Sequence, residues 1–384
     1  MERIIRSNSL RQLILPLLQL GAFILSSGVV LSLFVILLAW ILQPFRTETD
    51  LLGQTLSILP SVLIDAVTLG FVYASIALGY TMVYGVLEFI NFAHSEIFMV
   101  GAFMGTELVI LVVGRFSAGI NSVLGSYALL FVAIIFGSLI AGLLAMGIER
   151  VAYRPLRGAP RLVPLISAIG VSFLLQDVVR LLESFYSGQF FRIWPTFGDF
   201  DRILVLGNLT TTGGDLIEFG ISIKSLIVII VAVFMLVGLN YLVNVTKLGT
   251  AIRATAQDRN TASLMGINVN YVIGMTFLIG GALGGAAGVL FAFKFLRLDP
   301  FVGFLPGLKA FTAAVLGGIG NLTGALLGGI ILGMLESFAA SYLSFFTQGA
   351  FGAEYKDILA FAILIIILIF RPSGLLGQTV GQKA

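Results

Sequence analysis

Ten apolar stretches divide this chain, and the longest, Leu13–Leu42, runs for about thirty residues without one charged side chain. A helix needs roughly 20 apolar residues to cross the hydrocarbon of a bilayer, so such a run fits a membrane far better than a soluble core. The others are Val62–Leu87, Ile97–Val113, Tyr127–Gly147, Leu162–Leu182, Ile221–Val243, Tyr271–Phe293, Leu308–Gly320, Leu322–Leu343 and Ile358–Phe370. They are apolar all round and do not alternate, which argues against a strand barrel. Charged residues make up 11% of the chain and apolar residues 58%, whereas about a quarter charged is usual in soluble domains. The expected fold is an all-α polytopic membrane protein, a bundle of about 9–10 transmembrane helices. Leu308–Gly320 and Leu322–Leu343 form its broken or re-entrant pair.

Leu13–Leu42 follows Arg3, Arg6 and Arg11. It is too long for the roughly 7–15-residue core of a signal peptide, and no small-residue cleavage site follows, so it reads as a retained helix. Lys and Arg set the orientation, since cytoplasmic loops carry their excess. Arg150, Arg154, Arg157 and Arg161 fill one connection, Lys247, Arg253 and Arg259 another, and Arg371 and Lys383 follow the last span. All of these fall on one side, with both termini cytoplasmic, if the broken pair returns to the side it came from. The opposite connections are acidic: Glu183–Gly220 carries Glu183, Asp199, Asp201, Asp215 and Glu218 against Arg192 and Arg202.

Several chemistries are excluded. The chain has no Gly-Lys dipeptide, hence no Walker A loop. A single His and no Cys leave no multi-His or thiolate metal site. No nucleophile elbow or basic nucleic-acid domain is present. No catalytic residue, metal or nucleic-acid partner is expected, which leaves transport across the lipid bilayer.

Three segments carry further information. Leu69–Glu96 sets Gly70, Ala74 and Ala77 on one face for close helix contact. It ends in Glu88, Asn91, His94, Ser95 and Glu96, between two apolar runs. These are either a wet turn that caps the next helix or polar groups at membrane depth, which are functional candidates by default. The second is the Gly-rich half, with Gly280, Gly284 and Gly288, then Gly320, Gly324 and Gly328, interrupted by Pro300, Pro306 and Asn321. Interrupted apolar segments point to a midplane substrate site, or else to plain tight packing. Asn91, His94, Ser95, Glu96, Thr312 and Asn321 are the translocation-pathway candidates. Val62–Gly101 and Lys309–Gly333 read as a weak repeat with Asn91 opposite Asn321. The third segment, about 247–268, reads as one short helix ended by Gly266, with Arg253, Gln257 and Asp258 as directional contacts. It suits either a plug into a partner or an ordinary loop.

Together these stretches resemble a known family. They are Val67-Thr-Leu-Gly70, Gly79-Tyr-Thr-Met-Val-Tyr-Gly85 to Asn91-Phe-Ala-His94, Ile148-Glu-Arg-Val-Ala-Tyr-Arg-Pro155, Leu165-Ile-Ser-Ala-Ile-Gly170, Arg253–Ile267, Lys309–Gly320 and Glu354-Tyr-Lys-Asp357. The chain is similar to LivH-family permeases of ATP-binding cassette importers for branched-chain amino acids, from about Asp65 to Gly377. Ser95 stands where the family usually has Gly. The resemblance implies a permease domain over 61–377, with an extracytoplasmic loop at about 183–220 and a cytoplasmic tail at 378–384. Residues 1–60, with the helix at about 13–42, are an addition. It further implies that Arg253, Ala254, Gln257, Asp258, Leu264 and Gly266 couple to an ATPase. Implied partners are a second, LivM-like permease, two ATPase subunits holding ATP and Mg, and a periplasmic substrate-binding protein, in a bacterial inner membrane. The chain itself would hold no cofactor. Urea or short amides are the alternative cargo within the family. An ion-coupled carrier using Asp65, Glu107, Asp177 or Glu336 is the alternative class.

Overall fold

The computed structural model describes residues 2–45, 50–87, 91–116, 122–160, 162–210, 216–318, 320–371 and 373–377, with side chains from residue 18 onward except over 209–217. Glu88, Arg161, Asp215, Lys383 and the tail expected at 378–384 lie outside the described residues, as do the side chains of Arg3, Arg6 and Arg11. Twelve α-helices are present among the described residues: α1 Glu2–Leu42, α2 Leu51–Leu87, α3 Ala93–Arg115, α4 Val123–Ile148, α5 Leu162–Ser187, α6 Ile223–Val245, α7 Lys247–Gln257, α8 Arg259–Leu264, α9 Val269–Phe295, α10 Phe304–Gly317, α11 Leu322–Phe346 and α12 Lys356–Phe370. Eight are long and apolar enough to cross a membrane. The apolar helices α10 and α12 have only 14 and 15 residues, about 21–23 Å at 1.5 Å per residue, short of a hydrocarbon core of about 30 Å. The expected all-α bundle is what the chain forms; of the expected broken pair, α10 is short, whereas α11, with 25 residues, is long enough to span.

Two features depart most from expectation. Helix α2 starts at Leu51 rather than Val62 and runs through Pro60. Its first turn is capped from outside the apolar run: the Gly53 and Leu52 amides donate to Asp50 Oδ1 at 2.9 Å and Gln43 Oε1 at 3.0 Å. The acidic connection after α5 is also structured. Strands β2 (Ile203–Thr210) and β3 (Leu216–Ser222) form an antiparallel hairpin, and β1 (Arg192–Ile193) pairs with β4 (Arg297–Leu298) beyond α9. Trp194 and Phe200 pack edge-on against Phe293 of α9, with ring centroids 5.9 and 5.2 Å apart, which seats this connection on the acidic end of the bundle.

The core is built by small residues that let backbones touch. A Cβ on Gly285 of α9 would lie 2.6 Å from the Gly137 carbonyl of α4, and one on Gly281 would lie 2.8 Å from that of Ala141. Helices α2 and α11 meet in the same way, a Cβ on Gly333 lying 2.2 Å from Gly70 N and one on Gly329 lying 2.5 Å from Ala74 N. Helix α3 touches α4 through Gly137 and the Gly101 carbonyl (2.7 Å), as α10 touches α11 through Gly328 and the Ala313 carbonyl (2.0 Å). Thus Gly70, Ala74, Gly101, Gly137 and Ala141 have counterparts in Gly281, Gly285, Ala313, Gly329 and Gly333. Helices α2–α4 and α9–α11 are two copies of one arrangement. Because α3 runs with α9 and α10 with α2, the copies are inverted relative to each other. The expected repeat pairs differently: Asn91 corresponds to Gly303 at the start of α10, not to Asn321.

Candidate functional site

The inverted halves bring two helix N-termini together in the middle of the bundle. Helices α3 and α10 enter from opposite faces and overlap by one turn. A Cβ on Gly307 would lie 2.2 Å from Ser95 Cβ, and one on Gly303 would lie 2.6 Å from Glu96 Oε2. Both helix dipoles therefore point their positive ends at the Glu96 carboxylate. Glu96 is fully buried. Its Oε1 accepts from Gln176 Nε2 at 2.9 Å and Ser172 Oγ at 3.3 Å, both on α5, while Oε2 has no hydrogen-bond partner among the described residues. Ser95 adopts a helical backbone without positive φ, and its hydroxyl donates to the Phe92 carbonyl at 2.7 Å. The departure from the family's Gly is accommodated because no left-handed turn is formed here.

His94 lies in a cradle that only glycine leaves open. A Cβ on Gly79 would lie 2.3 Å from His94 Nε2, and one on Gly284 would lie 3.1 Å from Cε1. Tyr80 closes the ring edge-on at 4.6 Å. Asn91 Nδ2 is buried without a hydrogen-bond partner among the described residues, Tyr153 Oη donates to Asn91 Oδ1 at 2.8 Å, and His94, buried as well, faces the Ile76 backbone. Asn91 Nδ2 and Glu96 Oε2 thus lie close together, buried and without hydrogen-bond partners among the described residues, whereas most buried polar atoms are satisfied. A cavity of only about 10 Å³ remains between Tyr80, Asn91 and Phe311. Beneath Tyr153, toward the basic face, a larger cavity of about 610 Å³ opens between Glu149, Arg157, Thr255, Gln257 and Arg259.

The other pathway candidates are only partly joined to this cluster. Thr312 follows Phe311, which packs on Tyr80 and Phe92, but its hydroxyl donates to the Lys309 carbonyl within α10 at 2.7 Å. Asn321 is elsewhere: it caps α11 through Gly324 N at 3.0 Å and donates to the Leu376 carbonyl at 3.0 Å. There the turn between α10 and α11 is closed by the segment after α12, with Leu375 N donating to the Leu316 carbonyl at 2.7 Å.

Sequence reasoning did not find the buried charge network beside this layer. Lys309 of α10 pairs with Glu336 of α11 at 2.9 Å and Asp357 of α12 at 2.7 Å, and Lys356 reaches Glu336 at 3.0 Å. Tyr73 of α2 donates to Glu336 at 2.7 Å. The network joins four helices whose residues are far apart in sequence, so only the fold reveals it. Removing one member of such a network strands its partners. Lys309→Met is expected to cost about 2–3 kcal/mol, seen as a lower melting temperature in detergent, because Asp357 loses its pair while Glu336 keeps Lys356 and Tyr73. Adding Glu336→Gln should change stability by less than the sum of the single effects. Additive effects would show that the pair is not coupled.

On the basic face, the segment at 247–268 is two helices rather than one. Asp258 adopts an extended conformation (φ −157°, ψ 113°) and caps α8, accepting from Asn260 N at 2.8 Å and Thr261 N at 3.2 Å. Arg253 donates to the Val243 carbonyl at the end of α6. Arg259 Nη2 donates to the Val86 and Leu87 carbonyls at 3.0 and 3.1 Å, closing the end of α2. Gly266 has φ +83°, the left-handed conformation that ends a helix. Leu264 is 86% exposed and Met265 78% exposed. Ala254 and Gln257 lie on the preceding helix, half-buried and exposed.

Two of the acids considered as ion carriers are already neutralised. Glu107 pairs with Arg192, which also reaches Glu183 at 2.6 Å, and Glu336 sits in the network above. Asp65 lies 3.9 Å from Lys294. Asp177 alone of the four has no charged partner among the described residues.

Comparison with known proteins is consistent with this architecture. The profile of a family described as "Branched-chain amino acid transport system / permease component" matches residues 62–368. The high-affinity branched-chain amino acid transport system permease protein BraD of Pseudomonas aeruginosa is 41% identical over 322 residues, 84% of this chain and 96% of BraD. LivH of Escherichia coli K12, described in the same words, is 39% identical over 83% of this chain and 96% of its own. A probable LivH of Methanocaldococcus jannaschii is 29% identical over 79% and 87%. No solved structure matches significantly.

Proposed function

The chain belongs to the branched-chain amino acid transport permease family, and on that premise we propose that it is the membrane-spanning subunit of an ATP-binding cassette importer for branched-chain and similar neutral amino acids. The observation that carries the mechanism is the meeting of α3 and α10, which gathers the buried polar side chains of Asn91, His94 and Glu96 at one level of the bundle. In the transport cycle the inverted halves part at Ser95 and Gly307. Asn91, His94, Ser95 and Glu96 then line the route, with Thr312 beside it and Asn321 holding the turn at its basic end. Cargo leaves through the cavity beneath Tyr153. A two-state bundle of this kind needs an external free-energy source that binds its states unequally. Two ATPase subunits holding ATP and Mg supply that source, docking on 247–268, and this chain carries no cofactor or catalytic group. A periplasmic binding protein delivers cargo at the acidic face. The chain lies in a bacterial inner membrane with its basic face and both termini cytoplasmic, and residues 1–60 are an added element.

The complex should be purified from native membranes and reconstituted with its binding protein. ATP-dependent leucine uptake is expected, insensitive to ion uncouplers. Uptake that survives without ATP and collapses with an uncoupler would instead indicate an ion-coupled carrier; ATP-driven uptake of urea but not leucine would change the cargo. Because the chain lacks Cys, Ser95→Cys gives a clean probe of the route. It should react with a small water-soluble thiol reagent during ATP turnover and be protected at rest; equal protection in both conditions would remove Ser95 from the pathway.

A further inference from the structure

The depth of α5 can be read from its hydrogen bonds. Ser172 and Gln176 reach Glu96, which lies at the overlap of the two inverted halves and hence near the middle of the membrane. Asp177 is the next residue, so its carboxylate is at the same depth. Yet it is exposed on the outside of the bundle and has no ion pair or hydrogen bond among the described residues. A carboxylate at mid-depth on a lipid-facing surface is costly on every scale, so such groups face protein or water. Asp177 lies within an exposed stripe of α5 formed by Ile166, Gly170, Phe173, Leu174, Leu181 and Ser184. A Cβ on Gly170 would meet nothing within 4 Å, leaving a slot for a neighbouring helix.

The same surface says what kind of neighbour fits. In a parallel pairing of two copies of α5 about an axis along the membrane normal, equivalent residues face each other. Asp177 would then meet a second Asp177. Arg180 offers poor relief, because its guanidinium already stacks 5.2 Å over the Phe190 ring. We propose that the Asp177 stripe of α5 is the face on which a second, non-identical permease subunit packs, placing an Arg or Lys against Asp177. This rests on the importer reading above, which supplies the second permease.

The test uses the full complex in native membranes, with the photo-crosslinking residue p-benzoylphenylalanine in place of Phe173 or Leu181 on α5, and of Phe34 on α1 or Phe234 on α6. The α5 positions are expected to yield an adduct with a different hydrophobic chain that carries an intramembrane basic residue, and the α1 and α6 positions none. Asp177→Lys should lower recovery of that chain at least about tenfold, and exchanging the partner's basic residue for Glu should restore it. An adduct with a second copy of this chain, or adducts from α1 or α6 but not α5, would overturn the proposal. So would failure of the charge exchange to restore recovery. If ATP-driven uptake persists in those cases, the interface assignment fails alone; if uptake needs no ATP, the importer reading has failed first.

Discussion

Gly101→Ile is expected to leave almost no folded protein in the membrane. A Cβ at this position would lie 2.3 Å from Gly285 Cα and 3.0 Å from its carbonyl oxygen, and both are backbone atoms that no rotamer change can move. Gly285 is in turn pressed against the Gly137 carbonyl of α4, so α9 cannot retreat without breaking a second crossing. Overpacking a close-packed core costs about 1–3 kcal/mol when side chains can adjust, and more when they cannot. Here three helices would have to separate, and the expected cost exceeds about 3 kcal/mol. That is a large part of the stability of an ordinary domain. Gly114→Ile is the control, since nothing lies within 4 Å of its missing Cβ, and it should express like the parent. The measurement is the monodisperse fraction in detergent by fluorescence-detected chromatography. A monodisperse Gly101→Ile variant at parental yield would show that α3 and α9 do not touch as described.

The contrast between those two glycines also shows where sequence reading succeeds and stops. The apolar runs were legible because lipid imposes one requirement on every span, a length of apolar side chain, and neighbours in sequence satisfy it together. The cluster at Asn91, His94 and Glu96 was legible for the converse reason: polar residues between apolar runs stand out. What a glycine faces is not local. Gly101 and Gly114 look alike in sequence, and only the crossing with α9 separates them. Likewise Asn321 reads as an analogue of Asn91, yet the turn it caps is held by Leu375 and Leu376, residues that a one-dimensional reading cannot bring near. Lys309, Glu336 and Asp357 were invisible as a set, because each alone is an isolated charge near an apolar run. The hairpin at Ile203–Ser222 is hidden in the sequence because its strands lie in an acidic connection whose charges dominate the local pattern.

Leu264→Asp with Met265→Asp is expected to abolish ATP-driven uptake while leaving the permease folded. These two side chains are among the most exposed apolar groups on the basic face, and they lie at the end of α8, Leu264 as its last residue and Met265 as its C-cap. On the function proposed above they are the apolar part of the ATPase contact, and the adjoining backbone is fixed on both sides. Asp258 caps the helix, and Arg259 ties it to the last carbonyls of α2. On that function a push on Leu264 would reach the end of α2, the helix that also carries Gly79 against His94. Arg253 was the most obvious coupling residue in the sequence, but its bond to the Val243 carbonyl makes it a strut between α6 and α7. Arg253→Glu should therefore lower stability as well as coupling, whereas the Leu264 and Met265 pair should affect coupling alone. In reconstituted vesicles, loss of uptake by more than about tenfold, equivalent to at least 1.4 kcal/mol of coupling free energy, is expected. Stimulation of ATP hydrolysis by the loaded binding protein should be lost with it, at unchanged melting temperature. Uptake within twofold of the parent would place the ATPase contact elsewhere on the basic face. A fall in melting temperature equal to that of Arg253→Glu would mean that Leu264 and Met265 are part of the permease's own core.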